Sequence, residues 1–238
     1  MTGAIINAAG IVLGGTAWVL IKKPIAAQRQ QVFKVGLGVL TIWCGLKLTW
    51  NSINGSAGQV SKQLGIVLLA MFLGKVAGKL MRLQKCSNAL GQYATRTMAS
   101  DGHKNRFDDG FVVATALFCA GPLAILGSVQ EGLTGPAPVF WVKAVMDGLA
   151  TMSFCAALGW GAMFSALPVL AFEGALIRCV WLLEPVLRHN SQMIDSINAV
   201  NGLLVFCVAM IILNLKRIEV ADYLPSLAIA PLLVKWLL

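Results

Sequence analysis

The sequence predicts an all-α, polytopic membrane protein of about eight transmembrane helices, on three observations. Leucine, valine, isoleucine and alanine fill runs of about twenty residues, and at ~1.5 Å per residue such a run crosses a ~30 Å hydrocarbon core. Most charged residues lie in short strips between those runs. The composition agrees: 58% of the 238 residues are hydrophobic and 12% charged, too apolar for a surface held in water.

The runs place spans at 3–21, 33–50, 63–82, 111–128, 140–162, 165–186, 196–215 and 221–238. They make one integral-membrane domain over 1–238, with three spans in 3–82, a connector over 83–110 and the remaining spans in 111–238. Lys22, Lys23, Pro24, Arg29 and Lys34 separate the first two spans, and Lys79, Arg82, Lys85, Arg96, Lys104 and Arg106 lie between the third and fourth. Basic loops are retained in the cytoplasm. The segment 51–62 has one basic residue at its end, 130–138 has none and 187–195 has only Arg188, so these face outward. Lys216 and Arg217 return the chain to the cytoplasm before the last span. Eight spans with both termini outside satisfy every loop; seven or nine do not.

Met1 to Ile21 has the length of a signal peptide but lacks a basic start, and its Lys pair follows the apolar stretch. It is expected to be a retained first span. The connector from Ser87 to Asp109 is either a plain loop or a short amphipathic helix laid on the headgroups by Leu90, Tyr93 and Met98. The net charge of +9 reflects positive-inside retention, because the Lys and Arg residues flank apolar runs without interleaved aromatics. No nucleic-acid partner is expected. The six cysteines show no CxxC or zinc spacing, and five of them lie inside apolar runs as small core residues, so no metal site is expected.

Close helix packing in lipid needs small residues at the contact. Gly10-Ile-Val-Leu-Gly14 and Gly74-Lys-Val-Ala-Gly78 both have the GxxxG spacing. Ordinary helix packing is the plain reading, with a homodimer through these faces as an option. A thin internal match at an offset of about 164 residues sets Gly10-Ile-Val-Leu against Gly174-Ala-Leu-Ile; spans one and six cross in opposite directions, so the repeat would be inverted, a transporter feature.

The fourth span breaks at Phe118-Cys119-Ala120-Gly121-Pro122, where proline removes a backbone donor. Such a break is tolerated in a membrane when buried in protein or lining a wet cavity, so Gly121 and Pro122 point either to a binding site or to a packing kink. An ionised side chain near the bilayer centre costs about 2.5–3.5 kcal/mol on insertion scales. Lys143 and Asp147 are four apart on one helix face and can pair, while Glu173 and Arg178, five apart, point about 140° away from each other. Counted along their helices, Gly121, Asp147 and Glu173 all lie near the midplane. The cluster is either functional or a structural ion network among Lys143, Asp147, Glu173 and Arg178. Lys47, Lys75, Lys79 and Lys235 are expected as snorkelling anchors, and Asn7, Asn198 and Asn201 as interhelical hydrogen-bond formers, with Asn7 also a candidate solute- or ion-binding residue.

Enzyme signatures are poor. His103 and His189 fall in connectors on opposite sides, and H-E-x-x-H, G-x-S-x-G and Walker-type loops do not occur. No catalytic residue and no cofactor is expected.

With Gly3-Ala4-Ile5-Ile6-Asn7, Phe118-Cys119-Ala120-Gly121-Pro122-Leu123-Ala124-Ile125-Leu126-Gly127-Ser128 and Lys143-Ala144-Val145-Met146-Asp147, the chain resembles the YqgA/YdfK-like family, domain of unknown function 554. The likeness runs through Leu158-Gly159-Trp160-Gly161 to Leu224-Pro225. Where the family pattern has Gln before the span-six glycine, this chain has Glu173-Gly174. The resemblance implies a bacterial inner-membrane location and supplies no substrate.

The combined expectation is a transporter or channel-like protein for a small solute or ion, embedded in membrane lipid. Its solute would bind near Gly121-Pro122, Asp147 and Glu173 would be cation or proton sites, and Lys143 or Arg178 would balance their charge. The rival is a non-transporting scaffold or assembly factor that fixes helix register with its buried charges and binds a partner through the basic connector Gln84–Asp109.

Overall fold

The computed structural model describes residues 1–22, 27–99, 106–188 and 190–237, in which every regular element is helical. Lys23, Pro24, His103, Lys104 and His189 lie outside the described residues.

Helix α1 (Thr2–Ile21) buries Gly3, Ala4, Asn7, Ala8, Ile11 and Gly15, a narrow stripe of mostly small residues at helical spacing, and exposes Ile5, Val12, Leu13 and Leu20. That is the pattern of a helix with one protein-facing stripe and a lipid-facing remainder. Helix α2 (Ala27–Asn51) follows, and a turn at Gly55 (φ 123°) leads into α3 (Ala57–Leu80). Gln59 Oε1 accepts from the Ser56 N–H at 2.8 Å, satisfying one free donor at the start of α3. The connector is helical: α4 (Leu83–Ala99) exposes Leu90, Tyr93 and Met98 and buries Ala94 against Val113 and Leu158.

The expected fourth span is two helices, α5 (Arg106–Ala120) and α6 (Pro122–Thr134), bent by 54°. Gly121 takes extended dihedrals (φ −62°, ψ 135°) and Pro122 opens the second helix, where its missing N–H costs nothing. Helix α7 (Val139–Leu158) ends at Gly159 (φ 92°), sooner than the apolar run suggested, and a 3-10 turn (Trp160–Ser165) leads into α8 (Ala166–Leu187). Then come α9 (Ser191–Ile212), capped by Asn190 accepting from the Gln192 N–H at 3.0 Å, a one-turn α10 (Val220–Tyr223) and α11 (Ser226–Leu237).

The chain divides into two compact units, Met1–Phe33 with Ser87–Cys179, and Lys34–Cys86 with Val180–Leu238. In the first, Gly10 and Gly14 of α1 press on the backbones of Ala144 and Gly148 of α7, where a Cβ at either glycine would collide. In the second, Gly45 of α2 meets Gly202 of α9, and Gly74 and Gly78 of α3 meet Ser226 and Asp222. Both GxxxG faces are therefore engaged within the chain.

These contacts fix helix directions, and the directions count membrane crossings. Helices α1 and α7 run parallel, since Gly3 meets Phe140, Gly10 meets Ala144 and Gly14 meets Gly148. With α2 and α3 each crossing once between them, α7 is parallel to α1 only if the bent pair α5–α6 also makes a net crossing. A re-entrant pair returning to its own side would make α7 antiparallel. The second unit gives the same answer independently: Gly38 faces Leu213, Gly45 faces Gly202 and Thr49 Oγ1 donates to the Ala199 carbonyl at 3.3 Å, so α2 and α9 are antiparallel, as second and seventh crossings must be. Seven long apolar helices plus one broken span make eight.

Candidate ion-paired site at the broken span

In an unbroken helix the Phe118 carbonyl would accept from the N–H of residue 122, but Pro122 has none. The acceptor is instead taken by Lys143 Nζ at 3.2 Å. Lys143 also pairs with Asp147 one turn along α7 and lies 3.3 Å from Glu173 Oε1 of α8. The ammonium thus donates to the Phe118 carbonyl and to Asp147 and is ion-paired with Glu173, and a buried ammonium is tolerated only when compensated in this way. Asn7 of α1 completes the cluster by donating from Nδ2 to Glu173 Oε1 at 3.0 Å. Four helices of one unit converge here, and the close α1–α7 contact at Gly10 and Gly14 is what lets Asn7 reach α8.

Burial is deep but not total. Asn7 and Glu173 are fully buried, Lys143 is 3% exposed, and Asp147 keeps 13% of its side-chain surface. Two acceptor atoms in the cluster, Glu173 Oε2 and Asn7 Oδ1, have no hydrogen-bond partner.

Sequence reasoning brought Gly121, Asp147 and Glu173 to one depth and paired Lys143 with Asp147, and the structure joins Lys143, Asp147 and Glu173 directly. Arg178 lies on an exposed part of α8. Asn7, expected both as an interhelical hydrogen-bond former and as a candidate binding residue, joins the cluster through Glu173. Lys47 sits 4.6 Å over the Trp43 ring and Lys75 5.2 Å over that of Tyr223. Cys155 is buried as expected of a core cysteine, whereas Cys179 is exposed.

Glu131 was not singled out. Near the C-terminal end of α6, an acidic residue reads as a solvated loop group, yet it is 6% exposed and caps α1, accepting from the Gly3 N–H with Oε2 at 2.9 Å and Oε1 at 3.1 Å. A carboxylate at a helix N-terminus is favoured by the free N–H groups and the dipole. The Met1 amino group lies 2.6 Å from the same carboxylate. Only the adjacency of α1 and α6 reveals this role, and no local spacing encodes it.

A protein-family profile described as "Protein of unknown function (DUF554)" matches residues 2–235, nearly the whole chain. The chain belongs to the DUF554 family. Among its relatives are the uncharacterised membrane protein YdfK of Bacillus subtilis (strain 168), 24% identical over 98% of this chain and 96% of YdfK, and the uncharacterised protein YqgA of Escherichia coli (strain K12), 26% identical over 98% and 97%. No solved structure matches. The family is one of unknown function, and the long apolar helices mark this DUF554 chain as a membrane protein.

Proposed function

We propose that this DUF554 protein moves a small solute or ion across the bacterial inner membrane through a route beside the broken span. The observation that carries the reading is the seating of Lys143 on the carbonyl that Pro122 frees. Main-chain irregularity and paired charges coincide near mid-membrane, the setting in which transporters place their binding sites. A purely structural network gains nothing from a broken helix, since an unbroken one would satisfy the Phe118 carbonyl by itself. Asp147, still 13% exposed, gives the cluster an open edge, and a carboxylate there favours water over lipid.

The basic loops favour an orientation with both termini extracytoplasmic. The antiparallel course of α1 and α8, seen where Asn7 meets Glu173 and Ala4 packs with Ile177, is the direction an inverted repeat requires. A second internal match runs in the same direction along the chain. Asp147-Gly148-Leu149 parallels Asn201-Gly202-Leu203, and Leu167-Pro168-Val169-Leu170-Ala171 parallels Leu224-Pro225-Ser226-Leu227-Ala228. In both cases a long helix, a short turn of helix and a second helix follow one another. Duplication of this kind is also common in transporters.

The test is a flux screen in proteoliposomes carrying the wild type or Asp147→Asn, which keeps the side-chain shape and loses the charge. Transport by the wild type, lost in a variant that remains folded, supports the reading. Lack of flux for a broad panel of ions and small solutes, with Asp147→Asn affecting only stability, favours the scaffold alternative.

A further inference from the structure

Resting on the transport reading, we propose that Glu173 and Asn7 form the binding site for one exchangeable positive charge, an alkali cation or a proton, using Glu173 Oε2 and Asn7 Oδ1. The cluster holds one cation, Lys143, against two carboxylates, Asp147 and Glu173, and so is one positive charge short. Lys143 cannot supply the missing charge to Glu173 Oε2. It donates to the Phe118 carbonyl and Asp147 and meets Glu173 at Oε1, leaving Oε2 without a hydrogen-bond partner.

The two oxygens left over belong to side chains that are fully buried. A carboxylate oxygen and an amide oxygen are acceptors only, and buried acceptors without donors are costly. A proton on Oε2 turns one of them into a donor and cancels the excess charge. A bare alkali cation achieves the same through oxygen ligation, the preference of hard cations. A divalent ion would overshoot to a net positive cluster. Asp147 is the weaker candidate, because its carboxylate is already held by Lys143 within one turn of the same helix.

The groups that face Glu173 bear on the proton alternative. From α7 come Lys143 and Asp147, from α1 the neutral Asn7, and from the break the Phe118 carbonyl and the Cys119 thiol, which feels all three charges. On α8 itself, Arg178 lies five residues on, with its surface exposed. Lys143 in direct contact with both carboxylates, beside two buried acceptor oxygens without hydrogen-bond partners, is the balance on which the assignment rests.

The full-length protein in detergent is compared with Glu173→Gln by thermal unfolding in sodium, potassium and choline chloride at fixed ionic strength and pH, and by infrared spectroscopy for a protonated carboxyl group. Glu173→Gln balances Lys143 against Asp147 without any ligand, so it is expected to fold. If the charge is an alkali cation, sodium or potassium raises the wild-type melting temperature by several degrees over choline, and the rise is lost in Glu173→Gln. If it is a proton, salt identity has no effect, and the wild type shows a protonated-carboxyl band that Glu173→Gln lacks. A second variant, Asn7→Ala, removes an oxygen but no charge; it should weaken the cation response at least tenfold in midpoint concentration, or shift the carboxyl band. Absence of both signals in the wild type, or their persistence in Glu173→Gln, overturns the proposal. Cation response without flux in liposomes would leave this site standing and sink the transport reading; flux without either signal would do the reverse.

Discussion

Lys143 Nζ lies 3.2 Å from the carbonyl oxygen of Phe118, the acceptor that Pro122 deprives of its helical donor. Two sequence features that look independent, a proline in an apolar run and a lysine about twenty residues later, are thus halves of one interaction. The proline opens the seat and the lysine fills it.

Pro122→Ala restores an N–H that competes with Lys143 for that carbonyl. Proline is well tolerated at this first position of α6, so its removal should leave the melting temperature little changed. Flux should fall by about tenfold or more, because a hydrogen bond to a charged group contributes about 1.5–3 kcal/mol and its loss unseats the ammonium. A detergent melt and a flux assay on the same preparation check both halves, and a stable variant with full flux would show that the break is only a packing kink.

The charge count ranks two further substitutions. Lys143→Met leaves two carboxylates without their shared cation and should cost about 3–5 kcal/mol, as breaking a buried pair does. Asp147→Asn leaves Lys143 with Glu173 at 3.3 Å and the Phe118 carbonyl, a balanced set, and should cost only about 1–2 kcal/mol. Thermal or denaturant unfolding of the two variants measures the order; equal costs would mean that Glu173 does not share the lysine.

The membrane class, the span positions and the broken fourth span were legible in the sequence, because hydropathy and proline act locally along the chain. The pairing of Lys143 with Asp147 was legible too, since four residues set a helix face. The use of Asn7 and the capping role of Glu131 were not, because both depend on which helices become neighbours, and apolar runs carry little partner information in lipid. The GxxxG motifs announced close contact without saying with what. Gly14 could equally have faced a second copy of the chain.

Gly14→Val puts a branched side chain into the backbone of Gly148 and should destabilise by more than the about 1–3 kcal/mol of ordinary overpacking. At Gly65 a Cβ would have nothing within 4 Å, so Gly65→Ala should be neutral or stabilising by up to about 1 kcal/mol through helix propensity. Melting temperatures of the pair discriminate motif glycines from lipid-facing ones, and a tolerated Gly14→Val would contradict the α1–α7 contact.

Eight crossings predict sidedness. In a background without other cysteines, Asn54→Cys and Thr134→Cys, both at exposed positions, should react with a membrane-impermeant thiol reagent on intact cells. Native Cys86, exposed on the basic connector helix, should react only after permeabilisation. Labelling of position 134 from the same side as Cys86 would mean that residues 106–134 double back.

The route past the break is tested most directly at Cys119, the partly buried native thiol beside Gly121. In proteoliposomes carrying a variant that retains this cysteine alone, a small water-soluble, membrane-impermeant thiol reagent is expected to modify Cys119, at a rate that changes when the cation or pH around Glu173 is changed. A thiol that stays inert from both sides of the membrane under every ionic condition, in protein shown to be folded, would mean a dry, sealed cluster and contradict a transport role for the broken span.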